Sequence, residues 1–260
     1  MDVGVIVEDL MAYVRMPPGA DRLWLENACL NFQPGSYPYF ANVSAVRVGS
    51  GSVEELVTTA KSWFSEHGRT DFTWFLGPSS TPHDVVDQLV KLGATVMRHC
   101  TAMTMDRAPE PVAGVVVAEV ESASEYLQLR RIMFADEETG ELTVEQDAEL
   151  LAANEDAWAR VQAMDGSRRN FLAFVDGEPV AGGGLQLDEQ GFAVLAGSAT
   201  LPASRGRGCY RALVHRRWMV AQEAGIGHLA IQASDYSAPI LSRIGFVERA
   251  SLTIMQQSCA

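Results

Sequence analysis

The stretch Ser198-Ala199-Thr200-Leu201-Pro202-Ala203-Ser204-Arg205-Gly206-Arg207-Gly208-Cys209-Tyr210-Arg211-Ala212-Leu213 decides how the rest of the chain is read. An apolar run stops at Pro202. After Gly208, Leu213, Val214, Trp218 and Ala221 recur on one helical face, with Arg211, His215 and Arg216 elsewhere. The segment is therefore strand, loop, then an amphipathic helix ending near Gly225. Glycines at 206 and 208 allow a tight turn and leave the backbone N–H groups unobstructed where the helix begins, so its first amides and the positive end of its dipole converge. Arg205, Arg207 and Arg211 add charge around them. The pattern is that of an anion cradle; the plainer alternative is a tight turn and nothing more.

Charge is distributed to match. The 260 residues carry 20 Lys+Arg and 33 Asp+Glu, a net charge of −13. Residues 1–110 hold 13 acids and 8 bases, 111–189 hold 17 and 5, 190–222 hold none and 5, and 223–260 hold 3 and 2. A positive window with no acid thus surrounds the cradle inside an acidic protein, and the total argues against nucleic acid or an anionic membrane as the main partner. Neither familiar nucleotide loop fits. A dinucleotide fingerprint needs a third glycine where Arg211 stands, and a Walker A loop is absent.

Working outward, Ser122 to Ala135 places Tyr126, Leu129, Ile132 and Met133 at helical spacing, and Val144 to Met164 predicts a second, acidic helix. Phe171 to Val175, the turn signal Asp176-Gly177 and Val180 to Leu187 predict a hairpin. A turn at 188–191 leads to a strand from Phe192 to Leu201. Beyond the cradle helix come a strand at Leu229 to Ile231, a short helix at Ala238 to Arg243 and a last strand from Val247 to Met255.

The first half carries an echo of this ending. At an offset of 157, Gly49, Gly51, Leu56, Val57, Glu66 and Gly68 superpose on Gly206, Gly208, Leu213, Val214, Glu223 and Gly225; at 152, Gly93 and Met103 superpose on Gly245 and Met255. These identities fall in order and suggest a diverged duplication. The Pro-rich stretch 107–114 is then the connection, giving halves of 1–110 and 111–260. The first keeps the glycines but has Val48 where the cradle has Arg205, so it is expected to have lost anion binding and to buttress the second half or close over its acceptor cleft.

The cradle and its flanks resemble the GNAT N-acetyltransferase superfamily, whose pyrophosphate loop follows R/Q-x-x-G-x-G/A. Arg205-Gly206-Arg207-Gly208-Cys209-Tyr210 matches the first Arg and central Gly, Ser198 to Pro202 resembles the family's strand and Pro, and Gly245-Phe246 its closing Gly-Phe. The resemblance spans 115–255. It implies a mixed α/β fold, the GNAT acyl-CoA N-acyltransferase fold with a central mixed sheet, duplicated here with a degenerate first copy. It also implies acetyl-CoA as co-substrate: the backbone of Ser198, Ala199 and Thr200 pairs with the pantetheine arm, while Arg205, Gly206, Arg207, Gly208, Cys209, Tyr210 and Arg211 hold the pyrophosphate.

The chain departs from the family in three places. Tyr210 stands where Gly or Ala is usual, so its ring is expected to point away from the phosphates. Leu241 stands where many members place the Tyr that protonates the thiolate, which leaves Tyr236 as the candidate acid. Ser234 stands where an Asn often contacts CoA. Transfer needs a neutral amine and a proton acceptor, and no carboxylate lies between 190 and 222 to serve. Nine acids between Asp136 and Asp156 face no base in sequence. They are either a solvated helix face or an attractor for a cationic amine, with Glu137 and Glu138, at the family's acceptor loop, the better candidates. Cys209, at a helix start among arginines, meets conditions that lower a thiol's pKa.

The expected activity is acetyl transfer to a primary amine of a small molecule or protein; the alternative is a CoA-binding regulatory or scaffolding module without turnover. The partners expected are acetyl-CoA and an amine acceptor, with no nucleic acid and no membrane, and a homodimer is allowed for. Four scattered cysteines and five histidines show no metal-ligand spacing, so no metal is expected. The start of the chain does not read as a signal or transit peptide, and no apolar run approaches the ~20 residues of a membrane span. A cytoplasmic protein is expected.

Overall fold

The computed structural model describes residues 3–35, 37–49, 51–188 and 191–260, so the turn predicted at 188–191 lies partly outside the described residues. In chain order the elements are α1 (Val3–Glu8), α2 (Leu10–Tyr13), β1 (Asp21–Trp24), β2 (Cys29–Phe32), β3 (Ala41–Ser44), α3 (Val53–Glu66), β4 (Asp71–Leu76), α4 (Val85–Lys91), β5 (Thr95–Met105) and β6 (Val116–Glu119). There follow α5 (Ala123–Phe134), α6 (Val144–Ala152), α7 (Asn154–Gln162), β7 (Arg168–Val175), β8 (Glu178–Leu187), β9 (Phe192–Thr200), α8 (Cys209–Glu223), β10 (His228–Ser234), α9 (Ala238–Arg243) and β11 (Val247–Ser258).

The chain packs as two compact units, Met1–Thr104 together with Ile231–Ala260, and Met105–Ala230. The C-terminal segment from 231 thus packs with the first unit. There β11 runs antiparallel to both β4 and β5. The first unit's strands follow the order β1-β2-β3-β4-β11-β5, with β3 and β4 parallel. Phe64, Phe72, Trp74, Leu89 and Met255 fill its core. α3 starts on a capping box, Ser52 Oγ accepting from Glu55 N and Glu55 Oε2 from Ser52 N.

In the second unit β6, β7, β8 and β9 form an antiparallel meander. The predicted Asp176-Gly177 turn has left-handed φ at both residues, +54° and +86°, the backbone that twists a two-residue hairpin correctly. Val120, Leu129, Ile132 and Leu172 pack α5 onto the meander. The single acidic helix predicted over 144–164 is two helices. The buried side chain of Asn154 donates to the Ala123 carbonyl at 2.7 Å, and Arg130 Nη1 takes the Leu150 carbonyl at 2.8 Å. That side-chain bonding pins the chain at 153–154 and breaks the run.

The echo has a structural counterpart. β3, α3, β4, α4, β5 repeat in type and order as β9, α8, β10, α9, β11. Gly68 and Gly225, superposed at the offset of 157, both lie just past a helix end with φ of +72° and +75°.

Candidate functional site

β9 and β10 are parallel, paired at Phe192–Val194 with His228–Ala230. β9 continues to Thr200, and on its other side stays paired with β8 to the end. Pro202–Ser204 then make a 3-10 turn, and residues 205–208 lead into α8. Gly206 and Gly208 have φ of +79° and +83°. Gly208 is the N-cap itself, no side chain caps the helix, and no acid lies in its first turn. The start of α8 therefore presents unsatisfied amides and an unopposed dipole. A Cβ on Gly206 would meet nothing within 4 Å, so the loop has open space above it, whereas a Cβ on Gly208 would lie 2.8 Å from Val112 Cγ1. The connection at 107–114 touches this helix, where His215 Nδ1–H donates to the Pro109 carbonyl at 2.8 Å.

The arginines are placed separately. Arg205 is exposed and donates through Nη2 to the Glu137 carbonyl at 2.7 Å, Arg207 pairs with Asp176 at 3.0 Å in solvent, and Arg211 is exposed. The contact from Arg205 brings the loop between α5 and α6 beside the cradle, with Glu137 and Glu138 exposed upon it. Asp136 holds that loop in shape, its Oδ1 accepting from the amides of Glu138 and Thr139; these backbone bonds, the Thr139 amide first, lower its carboxyl pKa. Asp147 is bound by Arg131 at 2.6 and 2.9 Å.

One expectation changes. Cys209 is 1% exposed, and burial pushes its thiol up rather than down; the backbone amide and Arg207 act the other way and are weaker. The side chain packs inward, its Sγ 3.9 Å from the Ser204 carbonyl oxygen. Tyr210 is half-buried with its ring 5.9 Å from the guanidinium carbon of Arg217, and burial raises its hydroxyl's pKa.

Arg217 and the glycines it serves were not singled out from sequence. Arg217 is wholly buried. Its Nη1 donates to the Gly184 carbonyl at 3.1 Å and to Ser198 Oγ at 2.9 Å, and its Nη2 has no partner among the described residues. Burial first, and the neighbouring Arg168 in the same direction, bring its pKa down to about 10, against the opposing effect of Tyr210. These bonds fall on a bulge. Gly183 pairs with Ser198 but Gly184 with Ala196, which leaves Gly197 as the extra residue, at φ +60°. The glycine run 182–184 admits the neighbours: a Cβ on Gly182 would collide with Leu129, on Gly183 with Ser198 Oγ, and on Gly184 with Arg168 Nη2. Three consecutive glycines inside a strand were the available signal.

Ser234, Tyr236 and Leu241 belong to the first unit. Ser234 Oγ lies 3.1 Å from Ser237 Oγ and accepts from the Ser237 amide, Tyr236 is 72% exposed, and Leu241 is fully buried. Among the described residues no helix is long and apolar enough to cross a membrane.

Comparison with known proteins finds similarity in both sequence and fold. The model of the acetyltransferase (GNAT) family matches residues 126–246, from α5 through the cradle to the closing Gly-Phe. Over those residues the chain is similar to the GNAT acetyltransferases. No curated protein matches the chain in sequence. Among solved structures, a GCN5-related N-acetyltransferase from Kribbella flavida is 20% identical, superposes with a TM-score of 0.72, and is matched over 99% of this chain and 96% of its own. A tandem GNAT protein from the clavulanic acid biosynthesis pathway is 16% identical at a TM-score of 0.61, over 97% and 88%. A GCN5-related N-acetyltransferase from Sphaerobacter thermophilus is 16% identical at 0.57, over 90% and 81%. At these identities they share the fold: a GNAT fold extending over the whole chain, present twice.

Proposed function

We propose that the chain is an acetyl-CoA-dependent N-acetyltransferase acting on a primary amine, with the pyrophosphate of its co-substrate held at the start of α8. The observation that carries this reading is the uncapped, acid-free start of α8 behind Gly206 and Gly208, with Arg205, Arg207 and Arg211 around it. Backbone amides at 206–211 receive the pyrophosphate, and the open space at Gly206 leaves room for it. The backbone of Ser198 to Thr200 pairs with the pantetheine arm. The thioester then falls beside the bulge at Gly197, where backbone outside the ladder is free to polarise its carbonyl; one such donor is typically worth ~10²–10³ in rate. The amine bonds to the acetyl carbon as the C–S bond breaks. Of the two protons an ammonium gives up, one ends on the CoA thiol and one in solvent.

Among its described residues the N-terminal half, 1–110, lacks these features, which supports a buttressing rather than co-substrate-binding role for it. The helix matching α8 there, α3, begins on a capping box that uses its free amides and carries Glu54 and Glu55 in its first turn, all unfavourable to a phosphate. The roles of Tyr236 as proton donor and Ser234 as a CoA contact rest on the family resemblance, as does attraction of the amine by Glu137 and Glu138.

Calorimetric titration with acetyl-CoA tests the reading: saturable binding is expected, and its loss in Gly208→Glu. Equal binding by both proteins removes the cradle. A second reading, a CoA-binding module without turnover, draws on Leu241, buried where the proton donor is usual. Release of free CoA with any amine, well above hydrolysis, eliminates it.

A further inference from the structure

A cavity of about 260 Å³ opens in the second unit between α7 and the edge formed by β6 and β7, with Trp158, Gln162, Arg168 and Asn170 among its walls. Two of these groups lack a partner among the described residues. Asn170 is 3% exposed, and its Nδ2 has no hydrogen-bond partner among the described residues. Among the described residues Arg168 has no ion pair; burial lowers its pKa, and the one charge partner acting on it is Tyr126, not a carboxylate. The other charged groups on the wall, Arg169 and Glu119, are bonded to each other and cancel.

Arg168 and Asn170 stand two residues apart on one face of β7. Asn170 pairs with Gly184, and a Cβ on Gly184 would lie 2.7 Å from Arg168 Nη2. The guanidinium therefore extends along the strand to the glycine at the bulge. On the opposite face Arg217 holds the Gly184 carbonyl. Two buried or half-buried cations flank this glycine, and among the described residues no carboxylate pairs with either. A site with an aromatic wall, an amide N–H and a guanidinium that have no partner among the described residues, the guanidinium reaching to Gly184 at the bulge, is built for a carboxylate.

We propose that this cavity binds the carboxylate of the acceptor, making the acceptor a small amino carboxylic acid. Arg168 and the Asn170 amide hold its carboxylate, and Trp158 covers its apolar part. That the bound molecule is the acceptor rests on the acetyltransfer reading; that the cavity selects a carboxylate does not.

The full chain is titrated with glycine, β-alanine, γ-aminobutyrate, glutamate and phenylalanine, each beside its carboxamide, and separately with acetyl-CoA. At least one acid should bind roughly 10- to 100-fold more tightly than its amide, the worth of a charge-assisted bond. Arg168→Gln should erase that difference. Asn170→Asp supplies an internal carboxylate to Arg168, so it should lose the ligand while raising the melting temperature, a combination that a merely structural role does not produce. Absence of binding by every acid, equal binding of acids and amides, or unchanged binding in both variants overturns the proposal. Carboxylate binding without any acetyl-CoA binding sinks the acetyltransfer reading and leaves the cavity's selectivity standing.

Discussion

Arg217 Nη1 donates to Ser198 Oγ across 2.9 Å and, with the same nitrogen, to the Gly184 carbonyl at 3.1 Å. The two acceptors sit on either side of the bulge, one on β9 and one on β8. A buried cation so placed fixes how far the extra residue, Gly197, protrudes. Arg217→Met removes the clamp and also removes the burden of a buried guanidinium, so stability should change by no more than about 1–2 kcal/mol. Catalysis should suffer more. Misplacing a reacting group by about 1 Å costs on the order of 100-fold, so kcat should fall roughly 10- to 100-fold while acetyl-CoA affinity stays near its original value. Steady-state kinetics beside calorimetry separates the two; an equal loss in affinity assigns Arg217 to co-substrate binding instead.

The two cradle glycines should respond differently to alanine. Both have left-handed φ, which costs a non-glycine residue about 1–2 kcal/mol. Gly206→Ala meets open space and should cost no more than that, whereas Gly208→Ala also drives a methyl to 2.8 Å from Val112, adding about 1–3 kcal/mol. Val112→Ala should recover part of the second loss and none of the first. Urea denaturation of the two double mutants measures this; simple additivity at Gly208 refutes the contact.

Much of this site was readable before the structure because it depends on local chemistry. Gly206 and Gly208 beside arginines, the Asp176-Gly177 hairpin and the helical spacing of Leu213, Val214, Trp218 and Ala221 each constrain the backbone within a few residues. The echo was readable for the same reason, since Gly68 and Gly225 mark helix ends wherever they occur. What stayed hidden depends on distant partners. Arg217 reads as one more exposed arginine of the cradle until Gly184 and Ser198 are brought to it. Cys209 looks activated until the packing inside α8 shows that burial outweighs its neighbours. The break at Asn154 depends on Arg130 and Ala123, and the packing of 231–260 with the first unit depends on β11 pairing with β4 and β5.

The burial of Cys209 has a direct chemical readout. All four cysteines are unpaired; Cys29, Cys100 and Cys209 are buried, and Cys259 is half-buried. Burial raises the thiol of each, that of Cys29 to about 11, so none is poised as a thiolate. Brief treatment of the native protein with N-ethylmaleimide should modify Cys259 first and leave Cys209 unmodified, with all four reacting after denaturation. Mass spectrometry of peptides identifies the sites, and rapid native labelling of Cys209 would contradict its inward packing.

A titration in the first unit gives a pH prediction independent of the co-substrate site. Asp9 is 3% exposed, accepts from the Ala45 amide at 3.1 Å, and pairs with Arg47 at 2.6 Å. Burial nevertheless outweighs Arg47, and Glu8 beside it acts in the same direction as burial, so the carboxyl is raised from 3.8 to about 6. A folded-state pKa above the unfolded one means that folding takes up a proton. The stability this group contributes is full below about pH 4 and is lost as pH rises through about 6, a change on the order of 3 kcal/mol. Asp9→Asn cannot titrate and keeps only a constant offset from the lost ion pair with Arg47. The difference in unfolding free energy, wild type minus variant, should therefore fall by that amount across the window. Urea denaturation at intervals of pH measures it, and a difference that stays flat, or that rises with pH, shows that Arg47 rather than burial governs the carboxyl.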